Sequence, residues 1–141
     1  MAEAADPTDP AGYRHWVEDH VRFADLDPLG HCNHAVISGF FESSRVALFQ
    51  EAGLTLLQGG TSLSVVRLVL EFKRELVLGD RVRAGGRVVR LGRTSVTLGN
   101  ALFVDGQCAA TAEVVGVLID LEKRSPAELP PELRAGLSRF A

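Results

Sequence analysis

Apolar and polar positions alternate along this chain with two different periods. Between Ala35 and Ala52 the apolar or small residues Val36, Ile37, Phe40, Phe41, Ser44, Ala47 and Leu48 recur at spacings of three and four, and Gly53 follows. That period predicts a helix with one broad buried face and a glycine stop. Ser38, Glu42 and Arg45 fall on the other side, the last two as an i,i+3 ion pair, and Gly39 weakens the helix locally. Elsewhere the period is two. Alternation over Val21-Arg22-Phe23 predicts a strand within 15–24 that ends at a loop over 25–30. After Gly59-Gly60, Val66, Leu68, Leu70 and Phe72 share one face of a long strand, with Arg67, Glu71 and Lys73 on the other. Gly79-Asp80 turns the chain, and Val82-Arg83-Ala84 opens another strand. A strand over 94–104 carries Val96, Leu98, Leu102 and Val104 inward. Asp105-Gly106 is a hairpin signal, and the return strand over 107–119 buries Cys108, Ala110, Ala112, Val114 and Leu118. A short helix over 132–137 is expected in the proline-rich tail. Residues 1–12 lack periodicity and read as a tail, which leaves 13–141 as one ordered domain. The fold class is α+β: a long helix packed on an antiparallel sheet.

Composition narrows the function classes. With 141 residues, 46% of them hydrophobic, the chain builds one core. A net charge of −3 with interspersed signs gives no basic field, so nucleic acid is not an expected partner. Cys32 and Cys108 are isolated, which points to a reducing compartment. The first residues do not form a secretory leader, and no segment is apolar over the roughly 18 residues a membrane span needs, so a cytoplasmic location without membrane attachment is expected.

The chemistry concentrates in the run Phe23-Ala-Asp-Leu-Asp-Pro-Leu-Gly-His-Cys-Asn33 just ahead of the long helix. A helix mouth presents unpaired N–H groups and the positive end of the macrodipole, both of which stabilise a developing oxyanion. Asp27 is either the attacking or proton-accepting carboxylate or the carboxylate of an Asp-Pro turn. Asp25 reads as a loop-fixing residue. The D-x-D-x-x-G spacing also opens a calcium loop, but Leu29 and Val36 stand at the fifth and twelfth positions and cannot ligate a hard cation through their side chains. His31, Cys32 and His34 lack an evident fourth zinc ligand. Arg90, Arg93, Thr94 and Ser95 cluster at a turn and are candidates to meet phosphates, with no Walker-type loop beside them.

The segment Val21 to Glu42 resembles the signature of the hotdog-fold acyl-CoA thioesterases of the 4-hydroxybenzoyl-CoA thioesterase type, R-x-x-D-x-D-x-x-G-H-x-N-N-x-x-Y-x-x-x-x-E. Glu71-Phe72, Leu78-Gly79-Asp80, Leu91-Gly-Arg-Thr-Ser95, Asp105-Gly106 and Val117-Leu-Ile-Asp120 extend the likeness over roughly residues 15 to 135. The resemblance implies a sheet wrapped around the helix, and hydrolysis of an acyl-CoA or acyl carrier protein thioester without a metal or other cofactor. It implies Asp27 as nucleophile or general base, with His31 and Asn33 orienting the reactants and the backbone amide of His34 as oxyanion donor. Gly30, Ile37 and Phe41 are then the substrate-binding positions, with Arg90, Arg93, Thr94 and Ser95 for the phosphates. The chain departs from the pattern at His34, where a second Asn is usual, and at Ile37, where Tyr is frequent. A homodimer, and beyond it a dimer of dimers, is expected because a strand edge over 61–78 or 107–119 would otherwise stay unpaired. A non-catalytic acyl-CoA-binding module and a hydratase are the alternatives on the same scaffold.

Overall fold

The computed structural model describes residues 5–55 and 59–141. Its elements run β1 (His15–His20), α1 (His34–Ala52), β2 (Thr61–Phe72), β3 (Arg81–Leu91), β4 (Ser95–Val104), β5 (Gln107–Asp120), β6 (Ser125–Pro126) and α2 (Pro131–Ser138), with 3-10 turns at Pro10–Gly12 and Phe23–Asp25. The sheet has the order β1-β3-β4-β5-β2, every neighbouring pair antiparallel, and β6 adds to β5. It curls around α1, which packs on β1, β3 and β4 and against α2. This is the hotdog arrangement.

Local chemistry accounts for the ends of α1. Asn33 has extended dihedrals and its Oδ1 accepts from the Ala35 N–H at 2.7 Å, while Gly53 takes a φ of 105° and donates back to the last turn. Asp105 and Gly106, with φ values of 50° and 78°, close the β4–β5 hairpin. The N-terminal half of α1 presses Ile37, Phe40 and Phe41 onto Val82, Ala84, Leu102 and Ala110. Its C-terminal half buries Leu48, Phe49 and Ala52 with Val96, Leu98, Leu118, Leu133 and Leu137. Helix α2 thus closes the far end of the core.

Four expectations change. The first strand stops at His20, because Asp25 accepts from the Arg22 N–H at 2.9 Å and coils Phe23–Asp25 into a 3-10 turn; Phe23 is left exposed. Val66 is not part of a regular face of β2, since the register slips between Val65 and Arg67. That bulge reverses the alternation, so Leu63 before it and Leu70 after it both pack on the core. The unpaired edge belongs to β2 alone of the two strands considered, because β5 lies between β4 and β2. Finally, Arg45 is not on a solvent face paired with Glu42: it is buried, and Glu42 is exposed.

In the N-terminal segment, residues 1–4 lie outside the described residues. Asp9 caps the Pro10–Gly12 turn, and the Tyr13 hydroxyl donates to the Pro7 carbonyl at 2.6 Å.

Candidate active site

The loop over 26–33 is a small antiparallel curl rather than an open connection. Leu26 bridges to Cys32 and His31 bridges to Val77, so the loop is tied to itself and to the chain entering β3. The Cys32 N–H donates to the Leu76 carbonyl at 2.8 Å, and the Asn33 N–H donates to the Asp25 carbonyl at 2.8 Å. Gly30 completes the bend at a φ of 80°, a value L side chains rarely adopt, and its N–H donates to the Asp27 carbonyl at 3.0 Å.

Two carboxylates in this loop have different surroundings. Asp25 is 4% exposed and accepts from the Arg22 backbone and from both Nε and Nη2 of its guanidinium. Those Arg22 contacts hold its carboxyl below the usual carboxylate range. Asp27 is half-buried. Its Oδ1 accepts from the Leu29 N–H at 2.9 Å and the His31 N–H at 3.3 Å, and among the described residues its Oδ2 has no donor. One oxygen is fixed and the other is available.

His31 meets Asp27 through its backbone. Its ring instead places Nε2 3.1 Å from Glu75 Oε2. The Asn33 side chain is spent on the helix cap. The His34 imidazole lies flat on Phe72 at the end of β2, with ring centroids 3.9 Å apart and planes 12° from parallel. The His34 N–H opens α1 and has no acceptor among the described residues. Ile37 and Phe41, 3% and 0% exposed, belong to the core beneath the helix. Cys32 is buried, which pushes its thiol up to about 11. With His31 on Glu75 and His34 on Phe72, these three residues do not converge, and no group of three or more His, Cys, Asp or Glu among the described residues could hold a metal.

The turn with Arg90, Arg93, Thr94 and Ser95 is not brought to this loop. It sits at the end of the sheet covered by the C-terminal half of α1, where Leu91 packs on the second core cluster and Arg93 reaches Glu128 at 3.3 Å. A groove of about 650 Å³ on the outer face of the sheet, between Tyr13, Arg87, Val69 and Thr111, also lies away from Asp27. Glu75 and Phe72 went unread as site residues: one sits in a string of charges and the other ends a strand pattern, and neither carries a spacing that marks it.

The model of the thioesterase-like superfamily matches residues 21–137, which takes in the loop, α1, the long strands of the sheet and most of α2. The chain belongs to this superfamily. It is a thioester hydrolase. Among solved structures, a Thermus thermophilus thioesterase crystallised with coenzyme A and zinc is 36% identical, with a TM-score of 0.82 over 92% of this chain and 95% of that one. The PA5185 protein of Pseudomonas aeruginosa is 28% identical, with a TM-score of 0.86 over 93% and 94% of the two chains. A chloroplastic acyl-acyl carrier protein thioesterase of Arabidopsis thaliana is 23% identical over 89% of this chain and 68% of its own length. Among the described residues of this thioesterase, no helix is long and apolar enough to cross a membrane.

Proposed function

We propose that this thioesterase hydrolyses an acyl-CoA or acyl carrier protein thioester at the loop over 26–33, with Asp27 as the reacting carboxylate and the His34 N–H as oxyanion donor. The observation that carries the reading is the division of labour on Asp27: two backbone N–H groups anchor Oδ1 and leave Oδ2 without a partner. The free oxygen of Asp27 is the one its turn does not use. Oδ2 takes a proton from water as the water oxygen bonds to the thioester carbon, and the carbonyl oxygen gains charge at the helix mouth. The C–S bond then breaks, and the thiolate leaves and takes up a proton. Direct attack by Oδ2 through an anhydride, which water then opens, has the same stoichiometry. His31 and Glu75 hold the loop, and the turn at Arg90–Ser95 serves the phosphates of a substrate bound across a second copy joined through β2. The relatives crystallised with coenzyme A or acting on acyl carrier protein support this substrate class.

The test is Asp27→Asn, assayed for free thiol on a panel of acyl-CoA and acyl carrier protein thioesters. Turnover should fall by roughly 10²-fold or more, as on losing a general base or nucleophile, with substrate binding kept. Hydrolysis at the wild-type rate would make Asp27 a turn residue only.

A further inference from the structure

The groove of about 650 Å³ on the outer face of the sheet has the size of a small-molecule site, and the reaction at Asp27 does not use it. Its floor follows from the strand register. Arg87, Gly99, Glu113 and Val69 stand in one row across β3, β4, β5 and β2, and Ala101 and Thr111 stand in the next row on the same face. Gly99 has no side chain, so those of Arg87 and Val89 close over it: a Cβ there would stand 3.3 Å from both Arg87 Nε and Val89 Cγ2. On the other side the N-terminal segment crosses the second row, where Tyr13 packs on Ala101 and Phe103. Pro7 and Tyr13 line the groove from this segment, and Val69 and Val89 line it from the sheet.

Charge in the groove is out of balance. Its two acidic side chains are taken, Glu113 by Arg67 at 2.8 Å and Glu71 by Lys73 at 3.0 Å. Its other two cations, Arg14 and Arg87, form no ion pair among the described residues. The Arg87 guanidinium lies 4.9 Å from the centroid of the Tyr13 ring, and its one hydrogen bond among the described residues is a long one, from Nη1 to the Gly12 carbonyl at 3.4 Å. Tyr13 supplies no counter-charge, because burial pushes its hydroxyl up to about 12 and keeps it neutral. A guanidinium has five N–H donors, so Arg87 retains most of its fork for a guest.

We propose that this groove is a second binding site, which takes a carboxylic acid with an apolar body: the carboxylate on Arg87, the body along Tyr13, Val69 and Val89. A planar guanidinium matches a carboxylate through paired, charge-assisted hydrogen bonds, whereas an uncharged chain of the same length leaves the cation unmatched. Hydrolysis of a thioester releases this chemical class, so the product of the reaction is one source of the guest. The site does not depend on which carboxylate attacks the thioester.

The probe is octanoate, titrated into the full chain and followed by backbone amide resonances, with 1-octanol as the uncharged control. Octanoate should shift Arg87, Gly99 and Thr111 with a Kd of about 1 mM or tighter, the order open to a ligand of some ten non-hydrogen atoms. 1-Octanol should bind at least tenfold more weakly. Arg87→Met should weaken octanoate at least tenfold and leave 1-octanol within a few-fold. Val89→Asp, at a position 53% exposed and therefore safe for folding, sets an acid beside Arg87 and should weaken octanoate to the same degree. Asp27→Asn should titrate as the wild type does. Shifts confined to the loop over 26–33, equal affinity for octanoate and 1-octanol, or wild-type octanoate affinity in Arg87→Met and Val89→Asp would each overturn the proposal. So would a wild-type tetramer in which Arg87, Gly99 and Thr111 do not respond, because further copies of the chain would then cover the groove.

Discussion

Asp25 and Asp27 show how two identical side chains two positions apart take different work from their surroundings. Asp25 has both oxygens occupied by Arg22, whereas Asp27 keeps one oxygen unpartnered. Asp25→Ala should therefore act on stability, costing about 2 kcal/mol as charge-assisted hydrogen bonds are lost, measured by urea unfolding. Because Arg22 depresses the folded pKa of Asp25, its contribution is present above the ordinary carboxylate pKa and is lost as pH falls through the lower folded value. The wild type should lose stability below about pH 4 relative to Asp25→Ala, with the two curves converging in stronger acid. Curves that stay parallel across that range would show that the Arg22 contacts do not govern this carboxylate. In the sequence the motif singles out Asp27, Gly30 and Asn33, but with Asn33 as a residue orienting the reactants rather than the cap of α1 that its side chain forms. Arg45 was misread because a period of three and four marks which side a residue occupies only when that residue is apolar. A charged residue on the buried side looks like solvent surface until the neighbouring strand is in place.

At the scale of elements, the period-two runs located four of the strands, and the Asp105-Gly106 turn fixed one hairpin. The Val66 bulge was not legible, because an inserted residue inside an apolar run leaves the hydrophobic pattern looking continuous. The role of α2 was equally hidden. It was read as a short tail helix, but Leu133 and Leu137 complete the second core cluster, and the Phe140 carbonyl accepts from the Val88 N–H at 2.7 Å where β3 bulges. Gly136 makes that docking possible: a Cβ there would fall on the Ala52 carbonyl at the end of α1. In sequence it is only a weak helix former. Gly136→Ala, which raises intrinsic helix propensity by about 1 kcal/mol, should nonetheless destabilise the protein by roughly 1–3 kcal/mol as the two helices are forced apart. Leu137→Ala, at a fully buried position, should cost about 2–5 kcal/mol. A stabilised Gly136→Ala in thermal melts would mean that α2 does not bear on α1 as described.

For the whole molecule, the two edges of the sheet differ in a way that bears on the expected assembly. β1 is six residues long and carries Glu18, Asp19 and His20, the charged, short edge that resists pairing. β2 is twelve residues long and exposes Val65, Val66, Leu68, Val69 and Phe72 along an edge with no neighbouring strand among the described residues. A long apolar edge of this kind should be completed by another strand, and the complementary strand available to every copy is β2 itself. Antiparallel β2–β2 pairing about a two-fold axis is self-complementary and closes after two copies. Because the proposed phosphate contacts at Arg90–Ser95 need a second copy, assembly and activity should be lost together. Light scattering at micromolar concentration should give twice the 15.2 kDa chain mass. The double variant Val66→Asp, Val69→Asp sets like charges against each other across the joint and should yield a folded monomer, with an unchanged far-ultraviolet spectrum and at least tenfold lower kcat/KM. A monomeric wild type would refute the pairing, and a fully active monomeric variant would show that each copy works alone.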